Sequence, residues 1–231
     1  MSAETGQVDA ILHDEMMLTD IRTGLGGAIA SRLLARKNSK NLLVIGTGPQ
    51  ARWQLKAHAA LLSNVRFHVW GRDPARVKAL IDDIAPIVEI KRETDLIEAA
   101  RNADIIVTAT GSTQPFLQSE WISEGTHITA IGADAPGKQE LETALVERAD
   151  ILAVDLSSQC ADHGEVSLAV KAGLVACEDL IEVGTLLFPQ GQPGPEQAAF
   201  HRADGQVQRL GDLVVVQLFD VAEHEHRPLV V

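Results

Sequence analysis

The 231-residue sequence has no tyrosine and only five phenylalanines and three tryptophans, so acid–base chemistry on a phenol is excluded. Cysteine is almost as scarce. Cys160 and Cys177 stand in no metal-ligand spacing, and a chain without a cysteine framework fits a reducing compartment, with a cytoplasmic location as the expectation. Basic residues are outnumbered, 20 Lys and Arg against 32 Asp and Glu, for a formal net charge of -12. That balance disfavours nucleic acid and anionic membranes as partners. No apolar run approaches the ~20 residues of a membrane span. Residues 1 to 8 are polar and lack the apolar core of a signal peptide. Internal repeats and low-complexity tracts are missing too.

What is present is organised around Leu42-Leu43-Val44-Ile45-Gly46-Thr47-Gly48-Pro49-Gln50-Ala51. An apolar run of strand length ends in Gly-x-Gly-x-x-Ala and enters a stretch with apolar residues at Ala51, Leu55, Ala59 and Leu62, a helical spacing. Strand, glycine turn and helix in this order suit a dinucleotide pyrophosphate. Gly46 makes the turn, Gly48 lets phosphates approach the backbone, and Ala51 lets helix and strand pack closely. The helix N-terminus offers free N–H groups and positive dipole to the anion. An ordinary glycine-bearing strand–helix turn is the alternative.

The next strand, read over 65–70, ends in Gly71-Arg72-Asp73. A small residue followed by Arg leaves room for a 2′-phosphate and can bind two of its oxygens, so NADP is favoured. Asp73 keeps NAD open, because a one-residue shift would make it the reader of the ribose hydroxyl. Arg72 could instead be a turn residue pairing with Asp73 or Asp82. Asp73-Pro74 starts a helix. A third strand is read at 88–90, a helix at 95–101, and a fourth strand from Ala103 into the small polar tip Thr108, Thr110, Ser112. Those three could touch the cofactor or merely cap the strand. A fifth strand at 127–132 runs into Ala133-Asp134-Ala135-Pro136-Gly137, where Asp134 could project into the crevice or form an Asx-turn. A sixth is read at 151–155. Strands alternating with helices, with apolar runs on both faces, predict an α/β doubly wound parallel sheet.

Outside 41–155 the signals are weaker. Val8 to Leu12 reads as a short strand, and Leu25, Ala28, Ile29 and Leu33 as one face of a helix capped by Thr19 or Asp20. Arg22 lies early in that helix, as a surface or salt-bridged residue by spacing alone. Helices are read from His163 through Ala172 and over 179–187, a loop at 190–195, and an apolar run at 213–219. His224 and His226 lack a third nearby ligand, so no metal site is assigned.

Three stretches together resemble the ornithine cyclodeaminase / mu-crystallin family: Leu18-Thr19-Asp20-Ile21-Arg22-Thr23, Gly46-Thr47-Gly48-Pro49-Gln50-Ala51, and Gly132-Ala133-Asp134-Ala135-Pro136-Gly137-Lys138-Gln139-Glu140-Leu141. The resemblance covers roughly residues 9 to 190, and its third stretch is the most specific. It implies a Rossmann-like domain, taken as 37–160, joined to a substrate and dimerisation domain built from both chain ends, 1–36 and 161–231. It also implies a homodimer and a nicotinamide cofactor acting on a small amino or imino acid, by cyclising deamination, ketimine reduction or dehydrogenation.

By the resemblance Asp134 is the catalytic acid/base or amine orienter, and Arg22 lies near the substrate carboxylate. Gly46, Gly48, Gln50 and Ala51 contact the pyrophosphate, Arg72 reads the 2′-phosphate, and Thr23, Thr110, Ile131 and Lys138 complete the cofactor-binding positions. Two departures accompany it. Family subunits carry roughly 80 further residues before the position of Val8, beyond the ordinary domain-size prior, and these supply an Arg and a Lys to the substrate half. The expectation is therefore impaired turnover with cofactor binding retained, or a catalytically inactive nucleotide- or partner-binding protein. The stretch 212–220 is aligned with the family's closing small-residue helix, with Val215 and Gln217 bulkier than the pattern.

Overall fold

A computed structural model of the chain describes Gln7, residues 13–187 and residues 214–217. The chain runs α1 (Met17–Leu34), β1 (Asn41–Ile45), α2 (Pro49–Leu61), β2 (Arg66–Trp70), α3 (Pro74–Ile84), β3 (Ile90–Arg92), α4 (Leu96–Arg101), β4 (Ile105–Thr108), β5 (His127–Ala130), α5 (Thr143–Glu147), β6 (Ile151–Val154), α6 (Ser157–Cys160), α7 (Ser167–Lys171), β7 (Leu180–Glu182), α8 (Val183–Leu187) and β8 (Val214–Gln217). The eight strands form one sheet in the order β3-β2-β1-β4-β5-β8-β6-β7. Every pairing in it is parallel.

The apolar strand runs are what this topology needs. Leu42 and Val44 join Ile105 and Val107 in a core shared with Leu55 of α2 and Val77 and Leu80 of α3. Leu43 and Ile45 point the other way, into a second core with Ala99 and Ala100 of α4 and Leu145 of α5. Period-two alternation thus fills both faces of one strand. Strand order reverses direction between β1 and β4, so the crevice at their carboxyl ends is the expected ligand position.

Several expectations are corrected. The start of α1 is held by Asp14, whose carboxylate accepts from Leu18 N at 2.8 Å. Thr19 and Asp20 lie inside the helix. The third strand begins two residues later than read, because Val88 N still donates to Ile84 O at the end of α3. The helix read over 179–187 divides. Leu180–Glu182 pairs with β6 as an edge strand and only Val183–Leu187 is helical. The helix read from His163 shrinks to Ser167–Lys171. Val214–Gln217 is not a closing helix but a strand inserted between β5 and β6, as its β-branched run favours. The strand read at 8–12, the loop at 190–195 and His224 and His226 lie outside the described residues.

Small residues let α1 sit close on α2. A Cβ at Gly24 would stand 2.9 Å from Trp53 O, and one at Gly27 2.3 Å from Gln54 Oε1. Behind that contact runs a buried polar chain. His58 Nδ1 donates to Gln54 O at 2.8 Å, leaving Nε2 to accept from Ser31 Oγ at 2.9 Å. Ser31 Oγ in turn accepts from Thr129 Oγ1 at 3.1 Å, and Thr129 Oγ1 from His127 Nε2 at 2.9 Å. One proton arrangement satisfies all four bonds with both imidazoles neutral. Burial pushes His58 down to about 4 and His127 to about 3.

Candidate functional site

The glycine turn is shaped by two different constraints. Gly46 has φ 134°, and a Cβ there would meet Ala109 O at 2.3 Å. Only glycine fits this left-handed turn between neighbouring strands. Gly48, the residue before α2, has nothing of the protein but its chain neighbours within 4 Å of where its Cβ would be. The start of α2 carries no side-chain cap and has Pro49 at its first position. Ala51 is fully buried against the sheet. An open helix N-terminus therefore faces a cleft of about 360 Å³ lined by Gly46 to Gly48, Trp70 to Asp73, Arg76, Ala109 to Ser112, and Phe116.

The wall after β2 holds two guanidinium groups, those of Arg72 and Arg76. Sequence reasoning singled out Arg72 and missed Arg76, which sits in the first turn of α3 with its Nε 3.6 Å from Asp73 Oδ2. Asp73 caps α3, its Oδ1 accepting from Ala75 N at 2.8 Å and Arg76 N at 3.4 Å. Asp82 pairs with Lys78 at 2.5 Å, so both carboxylates considered for Arg72 have other partners. The smallness of Gly71 has an internal cause. A Cβ there would be 2.6 Å from Thr47 Cγ2.

The opposite wall is tied together by a residue that sequence reasoning quoted only as part of a motif. Glu140 is fully buried. Its Oε1 accepts from Thr110 N at 2.7 Å and Thr110 Oγ1 at 2.6 Å, and its Oε2 from Gly132 N at 2.9 Å. Behind it Glu165, also fully buried, accepts from Glu140 N at 2.6 Å and Leu141 N at 2.9 Å. Burial raises both carboxyls, Glu165 to about 8, with the neighbouring Glu140 charge adding to the rise. Gln139 N donates to Ser112 O at 2.9 Å, a further link between the two loops. Lys138, Gln139 and Glu142 around it are polar, so no local pattern marks Glu140 as buried.

The structure brings Gly46, Gly48, Arg72 and Thr110 onto one cleft. It pairs Asp134 with Lys138, Nζ donating to Oδ1 across the loop after β5, with both side chains half-buried. Gln50 reaches α1, its Nε2 donating to Asp20 Oδ1 at 2.7 Å. Thr23 is buried between α1 and α2, where its carbonyl accepts from Gln54 Nε2 at 3.0 Å. Ile131 is buried, its amide bonded to Thr108 O at 2.9 Å. Arg22 is exposed on the outer side of α1 and is not among the residues lining the cleft. That side also shows Leu18, Leu25 and Leu33, 52%, 43% and 39% exposed. Among the described residues no three His, Cys, Asp or Glu stand together as a metal site, and no helix is long and apolar enough to cross a membrane.

Comparison with known proteins follows the same lines. A family model described as ornithine cyclodeaminase/mu-crystallin family matches residues 1–217. Alanine dehydrogenase of Archaeoglobus fulgidus is 38% identical over 182 residues, 78% of this chain and 55% of that protein. Iminosuccinate reductase of Paracoccus denitrificans is 34% identical over 223 residues, 96% of this chain and 69% of that protein. Among solved structures, an archaeal alanine dehydrogenase dimer with bound NAD superposes with a TM-score of 0.78 at 31% identity, covering 96% of this chain and 66% of that one. The chain spans little more than half the length of several curated relatives it matches.

Proposed function

This chain belongs to the ornithine cyclodeaminase/mu-crystallin family, and on that premise we propose that it is a nicotinamide-dinucleotide-dependent enzyme of small amino or imino acids. The observation that carries the reading is the uncapped start of α2 at Gly48, open to a cleft whose wall holds Arg72 and Arg76. The residues fit the cofactor. Gly48 leaves backbone room for the pyrophosphate at the helix N-terminus, and the two guanidiniums suit the 2′-phosphate of NADP. Asp73 caps α3 through Oδ1 and stands 3.6 Å from Arg76 Nε through Oδ2, so the acidic reader that NAD would use and the second guanidinium are partners of each other. NADP is the favoured cofactor, with NAD the competing outcome. The relatives named above, an alanine dehydrogenase and an iminosuccinate reductase, support the substrate class.

When bound, the dinucleotide supplies hydride exchange with the substrate Cα. The chain's own part is to bind and orient. Asp134, held in direction by Lys138, holds or takes a proton at the substrate nitrogen. Arg22 is assigned to the substrate carboxylate by the family resemblance, although it stands on the exposed side of α1, outside the cleft lining. Orientation of this kind accounts for much of the barrier reduction in two-substrate reactions. A second reading has one observation in its favour. The exposed Leu18, Leu25 and Leu33 on α1 form an apolar stripe of the kind that marks association. On that reading the protein binds nucleotide and a partner, a second copy in the first instance, without turnover.

Calorimetric titration with NADPH and NADH, in wild type and Arg72→Ala, tests the cofactor. The expected result is tighter binding of NADPH, lowered about tenfold or more by the substitution. Binding of neither nucleotide contradicts the reading. Oxidation of NADPH with a cyclic imino acid, or reduction of NADP with alanine or ornithine, then separates enzyme from binding protein.

A further inference from the structure

The cleft has two ends. Arg72 and Arg76 stand after β2, and Thr110 to Ser112 after β4. A dinucleotide spanning the switch point between β1 and β4, with its adenosine ribose read after β2, has its nicotinamide riboside at the β4 and β5 end. The sheet ladder runs one residue past the strand ends, Ala109 N donating to Ile45 O at 2.8 Å and Ile131 N to Thr108 O at 2.9 Å. The amides after those, Thr110 N and Gly132 N, both donate to one carboxylate, Glu140. The tips are packed close as well. A Cβ at Gly132 would stand 2.1 Å from Thr110 O, so a small shift of either tip is felt by the other.

We propose that Glu140 is a positioning residue for the nicotinamide half of the cofactor site, holding the tips of β4 and β5 at the spacing the ring requires, with Glu165 holding Glu140 in place. The inference rests on the cofactor reading above. Glu140 is fully buried and touches no ligand itself. The hydrogen bonds from Thr110 N, Thr110 Oγ1 and Gly132 N all come from donors, two on Oε1 and one on Oε2. A carboxylate accepts on both oxygens, whereas an amide of the same shape accepts on one side and donates on the other. Glu140→Gln therefore sets an N–H against the amide of Thr110 or of Gly132, and one tip is released while side-chain volume is kept. One step back, Glu165 accepts from Glu140 N on one oxygen and from Leu141 N on the other.

The test compares NADPH with 2′-phospho-ADP-ribose and NADH with ADP-ribose; each ADP-ribose keeps the adenosine half, the pyrophosphate and the second ribose of its dinucleotide but lacks nicotinamide. Titration is done on wild type, Glu140→Gln and Glu165→Gln, with thermal melts to show that each is folded. The expected result is ADP-ribose binding unchanged in Glu140→Gln, with dinucleotide binding weakened about tenfold. A smaller loss of the same selectivity is expected in Glu165→Gln. Should Glu140→Gln not fold, Glu165→Gln carries the same comparison. Equal loss of both ligands, or no loss of either, overturns the positioning role while leaving the cofactor reading standing. Wild-type protein that binds none of these ligands overturns the cofactor reading, and the inference with it.

Discussion

Two helices leave the same edge of the sheet, and their beginnings are opposite. α2 follows β1 and α3 follows β2, each with a proline in its first turn. At the start of α3 the chain supplies its own anion, the Asp73 carboxylate, bonded to the amides of Ala75 and Arg76. α4 does the same with Asp95, bonded to Ile97 N at 2.8 Å and Glu98 N at 3.0 Å. At the start of α2 stands Gly48, with no side-chain cap and, its chain neighbours aside, no protein atom within 4 Å of its missing Cβ. Orphan amides at a helix start need an acceptor. Where α3 and α4 close that need internally, α2 leaves it open at the switch point of the sheet. The comparison marks α2 as the place for an anion from outside.

The largest expected effect separates the two glycines of the turn. Gly46→Val forces a side chain into φ 134° against Ala109 O, and denaturant unfolding should show a loss of roughly 4 kcal/mol. Gly48→Ala, at φ -83° with open space, should leave stability nearly unchanged. Acid comes next and should act on α2 before α3. His58, on α2, is held neutral with its pKa pushed down to about 4, while His127 is pushed to about 3. Unfolded, both take a proton near pH 6.5, so the stability they contribute is whole above that and is lost as pH falls toward 4 and 3. His58 alone accounts for roughly 3 kcal/mol across that window. Glu165, pushed up to about 8, runs the other way, its contribution being whole below its ordinary pKa and lost as pH rises through 8. Two histidines outweigh one carboxylate below pH 6.5, so acidification should destabilise. Hydrogen exchange should find the amides of α2 opening at a higher pH than those of α3. The smallest effect is Asp73→Ala, which removes the cap of α3 and should cost about 1 kcal/mol in the same unfolding assay.

Much of this arrangement was legible in the sequence, and for physical reasons. Parallel strands buried on both faces carry few charged residues, so β1, β4, β5 and β6 were found close to their ends, and β2 was found from its alternation of buried Phe67 and Val69 with more exposed neighbours. Asp73-Pro74 announced a helix start, though not that Asp73 caps it, and Gly46 to Ala51 announced the open one. The edges were harder. β3 and β7 are three residues each, too short for periodicity to separate from the helices beside them. β8 enters the sheet from far along the chain, between β5 and β6, and no local pattern shows where a strand will be inserted. The role of Glu140 was hidden because it depends on two amides 30 and 8 residues away. Arg22 was marked by family resemblance alone and Asp134 by its place after the fifth strand as well, and the fold places them on different elements, α1 and the loop after β5.

The most direct measurement is calorimetric titration of NADPH and NADH into wild type and Gly48→Asp. The substitution gives α2 the internal cap that α3 already has. It should leave stability equal or raise it by about 0.5–1 kcal/mol, while a carboxylate held against the pyrophosphate weakens dinucleotide binding about a hundredfold. A stable Gly48→Asp protein that binds either dinucleotide as tightly as wild type would contradict the account that the open start of α2 is the anion site.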